Sequence, residues 1–288
     1  MAENVRIGII GGSGLYAMDA LSNVSEINVD TPFGKPSAAI TVGSIAGNRV
    51  AFLARHGKGH VLNPTEVPYR ANIWALKSIG VEYIVAVSAC GSLRERFAPG
   101  HVVIPDQLLD FTKGKRDVTF YENGLVAHVG VADPFCQEIR AHLAEAVHEA
   151  GGRVHYGGNF ITVEGPRFST RGESNLFRAW GMDIIGMTTS PEAFLAREAE
   201  ICYAVMAHVT DYDVWHEEEE AVTAEAVIRQ FDSNLRVAQN SIVNVIPKLA
   251  EMPERVTDAH RAFDGALTTK RHAINPGQHD KLRIIIGD

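Results

Sequence analysis

The chain has few cysteines and no cluster of basic residues. Its three cysteines, Cys90, Cys136 and Cys202, are far apart in 288 residues and none belongs to a CxxC pair, so the sequence indicates neither a disulfide framework nor a zinc site. We expect all three to be packed, reduced thiols. With a formal net charge of −8, the chain also lacks the clustered cations that bind phosphate backbones, which argues against a nucleic-acid partner.

Long apolar runs and a leader segment are missing as well. No stretch approaches the roughly 18 apolar residues that a membrane span needs. Residues 1–4 pass directly into an apolar run, without the charged region and small-residue cleavage site of a signal peptide. We therefore expect a soluble cytoplasmic protein without membrane contact.

Short apolar runs alternate with segments of helical spacing along most of the chain. The apolar runs are expected to form strands at 5–10, 39–42, 50–53, 83–87, 101–104, 159–163, 183–185 and 201–209. Helical spacing occurs at 69–79, 135–150, 174–180, 191–200 and 223–250. This alternation predicts an α/β fold, in which helices flank a central mixed, mostly parallel sheet. The 45% hydrophobic content favours one domain, placed at 1–250, with a C-terminal extension at 251–288 that lies over the domain or over a neighbour.

Two carboxylates follow the predicted strand 201–209. Because side chains alternate faces along a strand, Asp211 and Asp213 would emerge on one side at its end. Ligands of open α/β sheets bind beyond the carboxyl ends of strands, where this pair could hydrogen-bond a ring nitrogen and an exocyclic amine together. The alternative is that Asp211 caps the following helix and Asp213 faces water.

Polar clusters follow four other predicted strands. The glycine-rich turn around Ser13 could cradle an anion or could be a plain tight turn. Arg55 offers a planar fork for phosphate, with the titratable His56 beside it. Ser88 ends a strand, and Thr188 precedes a helix whose N-terminus would favour an anion. Four such clusters, one with an arginine, favour a polyanion pocket over a set of caps and turns.

The loop Glu164-Gly165-Pro166-Arg167-Phe168-Ser169 supplies an aromatic side chain. A planar base could stack on the face of Phe168. The alternative is a structural turn in which Arg167 pairs with Glu164.

Two further features carry no predicted chemistry. His56 and His60 have the spacing of a helical metal pair, but Gly57 and Gly59 argue against a helix, so we expect no metal site. The acidic run 217–220 is expected to be the solvated first turn of a helix.

Taken together, the motifs resemble the 5′-methylthioadenosine phosphorylases, a group within the trimeric purine nucleoside phosphorylase family. The resemblance covers roughly residues 7–250. The matching motifs are 11–15, 30–37, Ala54-Arg55-His56-Gly57, 71–76, Ala89-Cys90-Gly91-Ser92-Leu93-Arg94, 164–169, Met187-Thr188-Thr189 and Thr210-Asp211-Tyr212-Asp213.

The resemblance implies a fold, an assembly and a reaction. The fold would be that of the nucleoside phosphorylases and the assembly a homotrimer. The reaction would be phosphorolysis of S-methyl-5′-thioadenosine to adenine and 5-methylthioribose 1-phosphate, a step of purine and methionine salvage. Phosphate would be the nucleophile, an aspartate would assist the departure of adenine, and no cofactor would be needed.

The resemblance also implies a role for each cluster. Catalysis would rest on Asp211 and Asp213, which contact the base. Phosphate would be held by Ser13, Arg55, His56, Ser88, Ala89 and Thr188. The nucleoside would be surrounded by Ala89, Phe168, Ser169, Met187 and the two aspartates, with Val227 in the methylthio pocket and His128 reaching the 5′-substituent in an adjacent subunit.

Three positions bear on the choice of base and phosphate site. Relatives that act on 6-oxopurines typically carry Asn at the position of Asp211. Gly186 stands where relatives often have Asn, which removes a possible hydrogen bond near the base, and Ser88 replaces a common Thr. The alternatives are a phosphorylase of methylthioinosine or inosine, a nucleoside-binding regulator without turnover, and a dehydrogenase, which would explain only the early glycines.

Overall fold

The computed structural model describes residues 5–15, 18–216 and 223–287. The strands are β1 (Ile7–Gly11), β2 (Ser22–Ile27), β3 (Ile40–Ile45), β4 (Asn48–Ala54), β5 (Tyr83–Ser92), β6 (Val102–Ile104), β7 (Gln107–Phe111), β8 (Val154–Tyr156), β9 (Asn159–Val163), β10 (Ile184–Gly186) and β11 (Cys202–Asp211). The helices are α1 (Tyr69–Ser78), α2 (Gln137–Glu149), α3 (Arg171–Ala179), α4 (Thr189–Glu198), α5 (Ala224–Ala250) and α6 (Pro276–Ile286). None of these helices combines the length and apolar character needed to cross a bilayer.

All the described strands belong to one mixed sheet. Its main path runs β2-β3-β4-β1-β5-β10-β9-β7, while β11 pairs with β5 and β6, and β6 with β8. Six of the ten strand pairs are parallel, so the predicted mostly parallel sheet is confirmed.

Strands β5 and β11 form the buried centre of the sheet. Their sequences are almost continuously apolar, as expected for parallel strands covered on both faces. On one face, Leu143 of α2 and Ile242 of α5 join a hydrophobic cluster. On the other, Leu76 of α1, Leu195 of α4 and Leu282 of α6 join a second one. Alternate residues of β5 contribute to the two clusters, which is the period-two pattern of a strand.

The eight predicted strands and the five predicted helices are present, with shifted ends. The sequence patterns missed three strands, and all three lie at edges of the sheet. β2, β7 and β8 each pair with a single neighbour. An edge strand with an exposed face does not need a continuous apolar run, so β2 and β7 are mostly exposed and carry no such signal.

The expectation of three reduced cysteines is wrong for two of them. Cys136, the N-cap of α2, and Cys202, the first residue of β11, form a disulfide with 5.5 Å between their Cα atoms. Their sequence separation of 66 matches no recognisable cysteine spacing, so only the fold reveals the pair. Cys90 is a free, buried thiol as expected.

The C-terminal segment packs against the sheet-centred domain. α6 buries Leu282 and Ile285 in the cluster that α1 and α4 share. An isolated β-bridge joins Leu267 to Ala127, and the N–H of His128 donates to Ala266 O at 2.9 Å. The tail therefore supports the backbone of the segment that carries His128.

Candidate active site

Four neighbouring parallel strands place the predicted polar clusters at their carboxyl ends, on one side of the sheet. β4, β1, β5 and β11 are neighbours in that order. Arg55 follows β4, and its N–H donates to Gly11 O of β1 at 2.9 Å. Ser13 begins a 3-10 turn directly after β1, but its side chain lies outside the described part of the structure. Since these strands are parallel neighbours, Arg55 and Asp211 both lie at the carboxyl ends of strands, on the same side of the sheet.

The two aspartates lie together at the end of β11. Asp211 accepts hydrogen bonds from the N–H of Asp213 at Oδ1 (2.8 Å) and from the hydroxyl of Thr210 at Oδ2 (2.7 Å). Asp213 is 7% exposed, and its Oδ2 has no hydrogen-bond partner among the described residues. The alternative in which Asp211 caps the next described helix is wrong, because α5 begins at Ala224 with Thr223 as its N-cap.

Burial raises the pKa of both carboxyl groups. The pKa of Asp213 is raised to about 6, by burial first and further by the negative charge of Asp211. Burial also raises the pKa of Asp211, although the hydrogen bonds from Thr210 and Asp213 act in the opposite direction. A carboxyl group whose pKa is raised to about 6 is protonated in part of the molecules near neutral pH. The pair can therefore donate a proton to a leaving base.

Gly91 of β5 allows the Asp pair to approach the sheet. A Cβ at this position would lie 2.9 Å from Asp211 Oδ1, 3.1 Å from Ile185 Cγ2 and 3.4 Å from the Cβ of Asp213. Any side chain here would displace the carboxylate. A glycine inside an apolar strand is a sequence signal of close approach, but it does not name the group that approaches.

Arg55 is a buried cation held by a buried carboxylate. Its Nε and Nη2 each donate to Glu192 at 2.7 Å, and its Nη1 donates to Val87 O at 3.0 Å. Glu192 is fully buried and also accepts the hydroxyl of Tyr203 at 2.8 Å. A guanidinium has five N–H donors, so two remain for an anion. Sequence reasoning missed Glu192, since nothing in the spacing of 137 residues links it to Arg55.

His56 is a neutral neighbour of this cation. Burial and the charge of Arg55 lower the pKa of His56 to about 4. Its Nδ1 lies 2.9 Å from Leu62 O, so Nδ1 carries the proton and donates, while Nε2 is an acceptor. The ring stacks on His60 with 4.2 Å between centroids, in a segment of turns rather than a helix. The fixed positive charge of this region therefore comes from Arg55.

Two hydroxyl side chains of the predicted phosphate cluster are buried nearby. Thr188 is 4% exposed and precedes α4, yet its side chain makes no capping hydrogen bond. Its hydroxyl is thus available to a ligand. The hydroxyl of Ser88 makes a long contact of 3.1 Å with Ala89 O.

The loop 164–169 packs against Met187. A Cβ on Gly165 would lie 2.6 Å from Met187 Sδ, so the backbone of this loop contacts the methionine side chain directly. Phe168 and Ser169 are partly exposed just before Thr170, which caps α3. The alternative pairing of Arg167 with Glu164 is wrong, because Arg167 binds Glu173 through two contacts of 2.6 and 2.7 Å.

The sequence matches one protein-family model over most of its length. The model of the phosphorylase superfamily matches residues 6–247. The chain belongs to the phosphorylase superfamily.

Curated members of the superfamily resemble the chain over its length. The S-methyl-5′-thioadenosine phosphorylase of Chloroflexus aurantiacus is 51% identical over 286 residues, covering 99% of this chain and 98% of that protein. The enzyme of the same name from Geobacter sulfurreducens is 50% identical over 281 residues, covering 98% of both chains.

Solved structures of superfamily members share the fold. A methylthioadenosine phosphorylase sourced from an antarctic soil metagenomic library superposes with a TM-score of 0.93 at 48% identity, covering 98% of this chain and 99% of that one. The methylthioadenosine phosphorylase of Schistosoma mansoni in complex with adenine superposes with a TM-score of 0.86 at 37% identity, covering 93% and 100%. The predicted nucleoside phosphorylase fold is confirmed.

The ring of Phe160 fills the space beside Gly186. A Cβ at 186 would lie 2.8 Å from two atoms of the Phe160 ring and 3.7 Å from Ala89 O. No larger residue fits there unless Phe160 moves. The edge of the Phe160 ring thus occupies the space that a side chain at position 186 would fill.

Two predicted substrate residues are not joined to the other site residues. Val227 is half-buried in the first turn of α5, and the acidic run 217–220 before it lies outside the described residues. His128 is exposed on the segment that the tail supports. Within the described part of one chain, no hydrogen bond or ring contact links either residue to Arg55 or Asp211.

Proposed function

We propose that this superfamily member cleaves S-methyl-5′-thioadenosine with inorganic phosphate, releasing adenine and 5-methylthioribose 1-phosphate for purine and methionine salvage. One observation carries the proposal. The buried Arg55 and the Asp211–Asp213 pair lie at the carboxyl ends of neighbouring parallel strands, and Arg55 has two N–H donors that bind no protein acceptor. The names of the relatives that cover nearly the whole chain support the substrate.

Charge flow in the reaction assigns a task to each group. Breaking the N-glycosidic bond moves positive charge onto the ribose and negative charge onto the purine, so catalysis requires stabilisation of both. Phosphate held by Arg55 would supply the nucleophile and a counter-charge for the sugar. The proton held by the Asp pair would be donated to N7 of the departing adenine, and a carboxylate oxygen would accept from its 6-amino group.

The remaining site residues complete the proposed pocket. Thr188 and Ser88 would donate hydroxyl hydrogen bonds to phosphate, and the neutral His56 would accept one from a protonated phosphate oxygen at Nε2. Phe168 would stack on the base. The other proposed contacts are Ser13 and Ala89 with phosphate, and Ser169, Met187 and Val227 with the nucleoside. No step needs a metal or an organic cofactor, so phosphate would be the sole co-substrate.

We further propose a homotrimer in which His128 serves the site of an adjacent subunit. Three exposed valines, Val118, Val126 and Val131, lie on the same connection as His128 and would be covered by a neighbour. Light scattering should give three times the chain mass of 31.4 kDa, and full activity at the single-chain mass would refute the trimer.

A cytoplasmic location stays a prediction, and the Cys136–Cys202 disulfide is unusual for that compartment.

The test of the proposed substrate is a comparison of bases. Initial rates of base release should be measured with methylthioadenosine, adenosine and methylthioinosine at one phosphate concentration. We expect methylthioadenosine to exceed methylthioinosine by about tenfold to hundredfold, because a 6-oxo group would face carboxylate acceptors without a donor. Equal rates would favour the 6-oxopurine alternative.

A further inference from the structure

Arg116 is, after Arg55, a second arginine whose side chain is buried beside this site. None of the motifs recognised in the sequence includes it. Its side chain has no exposed surface. It pairs with Glu164 at 3.2 Å between Nε and Oε1. Glu164 is itself fixed by the hydroxyl of Thr65 and the N–H of Lys113.

The Arg116 guanidinium joins the two loops that would enclose the nucleoside. Its Nη2 donates to Glu164 O at 2.6 Å, at the start of the loop that leads to Phe168. Its Nη1 donates to Met187 O at 2.7 Å and to Ser190 O at 2.8 Å, on either side of Thr188. One side chain therefore sets the distance between the proposed base loop and the proposed ribose and phosphate loop.

The use of its donors distinguishes Arg116 from Arg55. Nε, both donors of Nη1 and one of Nη2 already bind protein acceptors, which accounts for four of the five N–H groups. Arg55 leaves two for an anion. Arg116 therefore keeps at most one donor for a ligand, and it cannot offer phosphate the pair of donors that Arg55 can.

The two loops that Arg116 joins are in direct van der Waals contact. Gly165 packs directly on Met187, where even a Cβ would lie 2.6 Å from the sulfur. A small change in the guanidinium would thus shift both loops. A misplacement of about 1 Å at a reacting centre lowers the rate by roughly hundredfold.

We propose that Arg116 is a positioning residue, which holds the base loop and the phosphate loop at the separation required for transfer of the ribosyl group to phosphate. The inference rests on the proposed function, since it takes phosphorolysis of the nucleoside as the reaction. Lysine at 116 would keep the charge but could not span the acceptors on the two loops, because an ammonium is a single donor centre.

The test is Arg116→Lys, read by single-turnover kinetics with methylthioadenosine at saturating phosphate. This measurement separates the rate at each occupied site from the number of competent sites. We expect the single-turnover rate to fall about 10–100-fold, while the KM values for both substrates change less than about threefold. Arg140→Lys is the matched control, because Arg140 is also buried but lies on α2 with its guanidinium over the Tyr156 ring. Its rate should equal that of the wild type.

Each outcome decides the inference. An unchanged single-turnover rate in Arg116→Lys, or an equal loss in Arg140→Lys, would overturn it while leaving the proposed function intact. If Arg116→Lys is not recovered folded, Glu164→Gln replaces it. This substitution removes the ion pair that orients the guanidinium and keeps the size of the side chain, but it also replaces one of the two oxygens that accept from Thr65 and Lys113. The same rate loss at unchanged KM would support the inference, and an unchanged rate would overturn it. A wild type that does not cleave the nucleoside would overturn the proposed function together with this inference.

Discussion

Replacing Glu192 by glutamine should leave the Arg55 guanidinium buried without its counter-charge. Glu192 is fully buried and Arg55 is 3% exposed, so water cannot replace the lost carboxylate. Two hydrogen bonds of 2.7 Å now join the pair, and a third partner, Tyr203, donates to the same carboxylate at 2.8 Å. The substitution conserves size and removes only the charge and one strong acceptor.

The magnitude follows from the burial of both ions. Removing one partner of a buried ion pair lowers the free energy of unfolding by about 3–5 kcal/mol, because the remaining charge is uncompensated. We expect Glu192→Gln to lie near the lower end of that range, since the amide oxygen still accepts from Arg55. Tyr203→Phe removes a hydrogen bond without unpairing a charge and should lower it by only about 1 kcal/mol.

The assay is urea unfolding at pH 7 and one protein concentration, followed by circular dichroism and paired with steady-state kinetics. A triple variant, Arg55→Met with Glu192→Leu and Tyr203→Phe, removes both charges and the hydroxyl that donates to Glu192. It should recover most of the lost stability, because apolar residues of similar volume often replace buried pairs without loss. It should not cleave the nucleoside, since Arg55 is missing. A Glu192→Gln protein within about 1 kcal/mol of the wild type would refute the reasoning.

Three other predictions follow from the same site. Asp211→Asn should lower the rate of adenine release and reduce the preference for methylthioadenosine over methylthioinosine, and an unchanged ratio in initial-rate assays would exclude the proposed role of this carboxylate. Gly91→Ala should lower kcat by about 10–100-fold, because its Cβ would lie 2.9 Å from Asp211 Oδ1, whereas Gly277→Ala on α6, whose Cβ would lie 3.4 Å from its nearest atom, should not. Because the pKa of Asp213 is raised to about 6 in the fold, its proton stabilises the folded state, so this contribution is complete below pH 4 and is lost as the pH rises through 6. In urea titrations, the stability of the wild type relative to Asp213→Asn should therefore decline by roughly 2–3 kcal/mol between pH 4 and 7, and a parallel pH dependence of the two proteins would contradict the shift.

The sequence predicted the central elements of the fold because burial leaves a local pattern. β5 and β11 are covered on both faces, and their apolar runs identify them. β2, an exposed edge strand, depends on pairing with β3, which local sequence does not encode. α6 was missed because a segment with proline, glycine and charged residues becomes a helix here through burial of Leu282 and Ile285.

Strand-end placement of site residues could also be predicted, but their partners could not. Arg55 follows the apolar strand β4 and Asp211 ends the apolar strand β11, and the strand order puts both at carboxyl ends on one side of the sheet. Glu192 and Arg116 act through contacts with residues 137 and 48 positions away, respectively, so no spacing rule reveals them. Glu164 was assigned the wrong alternative partner for the same reason, since Arg116 approaches it from a distant loop.

The measurement that tests the central claim most directly is the dependence of product formation on phosphate. The protein should be incubated with methylthioadenosine, with and without phosphate, and both adenine and the sugar product quantified by chromatography and mass. We expect adenine only when phosphate is present, in equal amount with 5-methylthioribose 1-phosphate. Equal adenine release without phosphate, with free methylthioribose as the product, would show hydrolysis and contradict the role assigned to Arg55.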